Sequence, residues 1–295
     1  MNAKERMLRS LEALATGDAF GQQGFRGPME TVLLVAASAG SRVKWRWTDD
    51  TAMALGIVEV LTRHGHIEQD DLADVFSRNY TREPGRGYGP GQHRLMQNIA
   101  EGRDWREAGK ALFDGGSFGN GCAMRIGPLG AFFADDLQTV IEQAALATEV
   151  THAHKEGVAG GIAAAVAAAI ACRLEGTEHP RTELIEQVIA HTPQSNVRHG
   201  IEYALKIDLD YSVHTAVSAL GNGSRITAED TVPLCVWLAA KHLGEFEEAM
   251  WQTAVAGGDR DTNCAIVGGI IGGREDAVIP PEWLKYREPL PELHA

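Results

Sequence analysis

The sequence predicts an all-α protein, a single compact multi-helix domain over residues 1–295. Three observations carry that expectation. From about residue 135 onward apolar residues recur at helical spacing almost without pause. Period-two alternation is scarce, the one short case being Val43-Lys44-Trp45-Arg46-Trp47. And two stretches that look like helix starts, Trp47-Thr48-Asp49-Asp50-Thr51 and Gly257-Gly258-Asp259-Arg260-Asp261-Thr262, stand roughly 210 residues apart. At 295 residues and 44% hydrophobic the chain can bury a large core. No repeat, low-complexity tract or shift in composition divides it.

In chain order, Met7, Leu8, Leu11 and Leu14 share one face and predict a first helix over about 4–15. Gly17-Asp18-Ala19-Phe20-Gly21 reads as a break, with Asp18 either closing a turn or reaching the site considered below. Residues 22–47 read as an irregular loop with at most a small hairpin. Helices follow over 49–64 and about 68–80. Pro84 to Gly91 holds four glycines and two prolines around Arg86 and Tyr88, so it cannot be regular structure. It is either a linker or a substrate-contacting loop with Tyr88 as the contact. Further helices are expected near 92–101, 104–113, 135–149, 155–173, 181–191, 197–206, 228–242, 245–256 and 260–272. The apolar run Val158–Cys172 is too short and too rich in Ala and Gly to span a bilayer, and reads as a buried, closely packed helix. The tail around Pro280-Pro281-Glu282-Trp283 is expected to drape over the surface, anchored by Trp283.

A formal net charge of −13 argues against general nucleic-acid or anionic-membrane binding. Cys122, Cys172, Cys235 and Cys264 form no Cys-x-x-Cys pair, which suits reduced thiols in a cytoplasmic protein. The N-terminal residues lead into an amphipathic helix and not an apolar signal core. The expectation is a cytoplasmic monomer.

The two acidic stretches are the informative part. Each precedes a helical apolar pattern: Ala54, Ile57, Val58 and Leu61 after the first, Ala265, Ile266, Gly269 and Ile270 after the second. Thr48 is a natural N-cap, and a carboxylate suits a helix N-terminus. Capping explains one acidic residue per start but not a pair at both. If the two starts meet, they offer four carboxylates and two or more hydroxyls, with no thiolate or imidazole. So many buried anions need compensation, and hard divalent cations such as Mg²⁺ or Mn²⁺ suit an all-oxygen set. A metal site, binuclear by its ligand count, is the expectation.

Gly115-Gly116-Ser117-Phe118-Gly119-Asn120-Gly121 has the composition of an anion-binding nest, with a helix expected near Cys122. It matches neither the P-loop nor the dinucleotide fingerprint, and no strand clearly precedes it. In Thr151-His152-Ala153-His154 the two histidines are two apart and would not share a helix face, so a His-His metal pair is not expected. A single histidine in such a place is most often a hydrogen-bonded structural residue.

Together these pieces resemble the ADP-ribosylglycohydrolase family, which includes nitrogenase-reactivating glycohydrolases and ADP-ribosylarginine and ADP-ribosylserine hydrolases. The matching stretches are Gly17 to Gly21, Trp47 to Thr51, Ser117 to Arg125, Thr151 to His154 and Gly257 to Thr262, in the family's order and over nearly the whole chain. The resemblance implies an all-α fold with two divalent cations, Mg²⁺ or Mn²⁺, at the base of a cleft. It implies Thr48, Asp49 and Asp50 as one half of the ligands, and Asp259, Asp261 and Thr262 as the other. It places Gly116, Ser117, Phe118, Gly119 and Asn120 on the loop that holds the diphosphate and distal ribose, and His152 in the cleft wall. The implied activity is hydrolysis of the C1″ glycosidic bond of an ADP-ribose conjugate, such as an ADP-ribosylated protein, with Asp49 or Asp50 as general base. A non-catalytic ADP-ribose-binding protein and a binuclear-metal phosphoester hydrolase are the alternatives. One departure stands out. Many members carry a Glu shortly after the Gly-Asp-Ala-x-Gly segment, where this chain has Gln22 and reaches its first acid only at Glu30.

Overall fold

The computed structural model describes residues 1–23, 44–112, 115–174 and 180–292. Glu30, the possible stand-in for the early Glu, lies outside the described residues, as does most of the 22–47 loop. Fifteen α-helices occur among the described residues, in the order α1 (Ala3–Gln23), α2 (Asp49–His64), α3 (Gln69–Arg82), α4 (Pro90–Ala100), α5 (Trp105–Leu112), α6 (Gly127–Phe132), α7 (Leu137–Glu149) and α8 (Lys155–Arg173). They continue with α9 (Pro180–His191), α10 (Asn196–Ala204), α11 (Val213–Leu220), α12 (Ala228–Lys241), α13 (Phe246–Ala256), α14 (Arg260–Ile271) and α15 (Pro281–Tyr286). No strand occurs among the described residues; two isolated bridges join Trp45 to Arg287 and Gly119 to Thr227.

Helix α8 lies at the centre, packed by α6, α7, α9, α10, α12 and α14. It is 19 residues long and apolar enough by length and composition to cross a membrane, so the bilayer argument from the shorter run does not hold. Its burial decides the matter: 83% of its most apolar window is covered by protein. Gly157, Gly160 and Gly161 let neighbours approach closely, and a Cβ at Gly160 would sit 2.7 Å from the Ala228 Cβ.

The predicted break at Gly17 is not there. Helix α1 runs on to Gln23 because Gly17 and Gly21 serve packing and not a turn. A Cβ at Gly17 would collide with the Cys264 carbonyl, and one at Gly21 would lie 2.7 Å from Asp261 Cα. Across the same seam a Cβ at Gly268 would lie 2.7 Å from the Ala13 carbonyl oxygen. The propensity cost of two helical glycines, about 1 kcal/mol each, is offset by a helix contact that Ala would forbid. This seam brings the end of α1 against the start of α14.

The described part of the 22–47 loop forms no hairpin. Trp45 pairs instead with the chain far downstream: its N–H donates to Tyr286 O at 2.9 Å, and Glu288 N–H donates to Trp45 O at 2.9 Å. Trp283 is buried as the anchor of its tail, stacking on Phe20 at 4.5 Å with Trp251 edge-on to both, while the residues around it form α15. The helix expected near Cys122 is a single 3₁₀ turn, Asn120–Cys122.

Candidate active site

Helix α2 starts at Asp49 because Thr48 is extended (φ −110°, ψ −162°) and its hydroxyl accepts from the Asp50 amide at 3.3 Å. Two further amides of this helix start are served from another helix. Asp18, fully buried on α1, accepts from Thr48 N at 2.8 Å, Thr51 N at 3.2 Å and the Thr51 hydroxyl at 2.5 Å. Asp18 therefore closes no turn; it caps α2 across the helix interface. With those amides satisfied, capping gives no reason for Asp49 or Asp50, and both side chains turn to a cavity. Asp50 Oδ1 is buried without a hydrogen-bond partner among the described residues. The Thr48 hydroxyl lies 2.9 Å from Asp18 Oδ1 and 2.8 Å from Asp50 Oδ2. One hydroxyl hydrogen cannot serve both, so the second contact needs a proton on one carboxyl.

The second acidic start is reached through Gly257 and Gly258, at φ +74° and +66°, a turn only glycine makes without strain. Asp259 is the N-cap of α14 but makes no side-chain cap bond. Its Oδ2 accepts from Asn120 Nδ2 at 2.8 Å instead, which ties the glycine loop to α14. Asp261 Oδ1 accepts from the Thr262 amide at 3.0 Å.

These carboxylates raise one another. Burial, then Asp18 and Asp259, push Asp49 up to about 7. Burial, then Asp259 and Asp18, push Asp261 up to about 8. Asp50 is driven well above the carboxylate range by burial and by Asp18, Asp261 and Asp49. Asp18 rises to about 6 through burial, although its hydrogen bonds oppose the rise. Such mutual repulsion, together with an orphaned oxygen on Asp50, fits a set of ligands for hard cations. Among the described residues no three His, Cys, Asp or Glu side chains close on one point as metal ligands do. Asp50 Oδ2, Asp259 Oδ2 and Asp261 Oδ1 are engaged by a hydroxyl or an amide that a cation would have to displace.

One cavity of about 390 Å³ collects most of the expected residues. Asp49, Asp50, Asp259, Asp261 and Thr262 line it on one side, and Ser117, Phe118, Gly119, Asn120 and His152 on another. Three of the expected residues are not among those that line it. Thr48 is buried under Asp50. Gly116, at φ +91°, presses against Ala153 and His154, seating the loop and not contacting the cavity. The Tyr88 ring is buried against Tyr80 and His93, while its neighbours Gly87 and Gly89 line the cavity. Gln22 is exposed near the end of α1.

Arg225, Ile226 and Thr227 form a wall that the sequence reading passed over. Asp230 shapes it, accepting from Arg225 N at 2.9 Å and Arg225 Nε at 3.0 Å. The signal was available as Gly221-Asn222-Gly223-Ser224, a turn-forming cluster just before α12. A larger cavity, about 580 Å³, lies between α2, α3 and residues 288–292. Its Glu59, Glu83 and Glu288 are already paired with Arg63, Arg78 and Arg86.

A family model described as ADP-ribosylglycohydrolase matches residues 1–294. The chain belongs to this family. An uncharacterized protein of Archaeoglobus fulgidus is 30% identical, over 98% of this chain and 95% of its own length. ADP-ribosylhydrolase ARH3 of Gallus gallus is 28% identical, over 84% of this chain and 75% of its own length. The human ARH3 is 30% identical, over 80% and 73%. A solved structure titled ADP-ribosylglycohydrolase-related protein complex matches with a TM-score of 0.66 at 22% identity, covering 97% of this chain and 93% of that one, which shows the shared fold. As a glycohydrolase-family member the chain carries its acidic starts and glycine loop on one cavity, in the family's all-α architecture.

Proposed function

We propose that the chain hydrolyses the C1″ glycosidic bond of an ADP-ribose conjugate with the aid of two divalent cations. The observation that supports this most is the shared cavity: two acidic helix starts and a glycine loop, distant in sequence, face the same space. Asp49, Asp50 and Thr48 would hold the cations from α2, and Asp259, Asp261 and Thr262 from α14. When bound, the cations would orient ribose hydroxyls and make a water molecule more acidic.

The chain's own groups do the rest. The loop around Ser117, Gly119 and Asn120 binds the diphosphate, so that binding energy remote from the reaction positions C1″. An oxygen of Asp49 or Asp50 not held by a cation takes the proton from the attacking water. The bond from C1″ to the acceptor nitrogen or oxygen breaks, the water oxygen bonds to C1″, and the acceptor leaves with the proton that the carboxylate took from the water.

Peptides carrying ADP-ribosyl-arginine or ADP-ribosyl-serine, incubated with Mg²⁺ or Mn²⁺ and separately with chelator, test this. Release of ADP-ribose from at least one of them, abolished by chelator, is the expected result. Tight ADP-ribose binding without turnover of either would favour a non-catalytic binder, the reading for which the departure from the early Glu speaks.

A further inference from the structure

Beneath the cavity floor lies a buried arginine without a salt bridge among the described residues. Arg125 is fully buried, and among the described residues it makes no ion pair. Its Nη1 reaches Met53 Sδ at 3.5 Å, its Nη2 donates to Ala147 O at 3.1 Å, and its plane lies 4.7 Å from the Phe76 ring centre. Nη2 also donates to Thr151 Oγ1 at 2.7 Å. Burial pulls Arg125 down to about 10, which leaves it protonated at neutral pH.

A guanidinium has donors and no acceptor, so the Arg125–Thr151 bond runs one way. The Thr151 hydroxyl accepts there and keeps its own hydrogen for another partner. That partner is His152 Nδ1, 2.7 Å away. Were Nδ1 protonated instead, the Thr151 hydrogen would have no acceptor among the described residues. Nδ1 is therefore the acceptor, and the ring hydrogen sits on Nε2. His152 is neutral as well, since burial and the Arg125 charge push it down to about 3. Its Nε2 makes no hydrogen bond to a described residue and faces the glycine loop, where a Cβ at Gly121 would lie 3.2 Å from it.

We infer that Arg125 and Thr151 are positioning residues that lock His152 in the Nε2–H tautomer, so that the imidazole presents a neutral donor to an oxygen of the bound ligand. The inference rests on the proposed function only for the identity of that oxygen, a diphosphate or ribose oxygen of ADP-ribose. A neutral donor suits this place. It adds to the amides of the glycine loop without a titrating charge, and it cannot switch to an acceptor that would repel phosphate.

Two measurements test it. Imidazole ¹⁵N spectra of the ligand-free protein, with His152 assigned by comparison with His152→Asn, read the tautomer directly. The Nε2–H form is expected, unchanged from pH 5 to pH 8. The Nδ1–H form, or a ring that protonates in that range, would overturn the inference whether or not ADP-ribose binds. Thr151→Val keeps the shape and removes the hydroxyl, and Thr151→Ser restores it. Calorimetry with ADP-ribose should show about a tenfold loss for the Val variant, the worth of one hydrogen bond, and recovery for Ser. Mn²⁺ affinity should not move, as it would if the substitution had merely disturbed the fold. An unchanged tautomer in the Val variant would overturn the relay. If the parent does not bind ADP-ribose at all, the proposed function fails while the tautomer measurement still decides the relay.

Discussion

Asp18 offers the sharpest test of how the site is built, because its two jobs separate in two substitutions. Its carboxylate caps two amides of α2, Thr48 N and Thr51 N, and it adds a negative charge behind Asp49 and Asp50. Asp18→Asn can keep its oxygen where Thr48 N, Thr51 N and the Thr51 hydroxyl now point, and turn its NH₂ to the Thr48 oxygen. Asp18→Ala removes the acceptor altogether. Both remove the charge, so the difference between them isolates the cap. Two buried amides left without acceptors cost about 1–3 kcal/mol each, or about 2–6 kcal/mol together. At this chain size that is a Tm gap of about 4–12 °C between the Asn and Ala variants. The charge works in the opposite direction. A carboxyl raised from 3.8 to about 6 costs the metal-free fold about 3 kcal/mol at pH 8, so Asp18→Asn should melt higher than the parent in chelator. Mn²⁺ affinity should fall on the order of tenfold in both variants, since both lose an anion near the proposed cation ligands. Differential scanning calorimetry in chelator, with Mn²⁺ titrations alongside, reads all three quantities. Equal Tm values for Asn and Ala would refute the capping role, and an Asn variant that melts below the parent would refute the buried-charge cost.

Two further outcomes are expected. The metal-free protein should lose stability as pH rises from about 4 to about 8, because Asp49 and Asp261 hold protons in the fold that the unfolded chain has released. Saturating Mg²⁺ should flatten that slope, and a flat profile in chelator would contradict it. Glu288→Gln should lower Tm by about 2–6 °C, for a loss of about 1–3 kcal/mol. It weakens the two-pronged bond, at 2.6 and 3.0 Å, that holds the buried Arg86 over Trp47. Arg86 O receives the Asp49 amide, so Mn²⁺ affinity should soften with it, and unchanged values of both would leave Arg86 without a part in the site.

What the sequence disclosed about this site was local. A pair of Asp beside a Thr before a helical pattern is legible because its meaning depends on neighbours within one turn, and α2 and α14 begin where that pattern places them. The glycine loop was legible for the same reason. Asp18 was ambiguous because its partners, Thr48 and Thr51, are some thirty residues away and nothing near Asp18 announces them. Gly17 and Gly21 misled because the same residue type breaks one helix and packs another, and only the neighbour across the seam decides which. Arg125 was quoted as part of a motif, but its role depends on Thr151 from a different segment. Tyr88 was chosen for its loop, and the fold turned its ring to Tyr80 and His93.

The bridge between Trp45 and Arg287 gains a further meaning from the direction in which a ribosome makes the chain. At about 5–20 residues per second, the roughly 210 residues between the two acidic starts take about 10–40 s to appear. During that interval Asp49 and Asp50 have neither their counterparts nor the Glu288 clamp on Arg86, and water can solvate them freely. Repulsion from Asp259 and Asp261 is added to that from Asp18 only when residues 259–288 arrive and draw the two starts together. That part of the repulsion is thus postponed to the end of the chain's birth, when the aromatic packing around Trp283 is ready to hold it. A nascent chain stalled before residue 259 should gain no protection from Mn²⁺, whereas the released chain should.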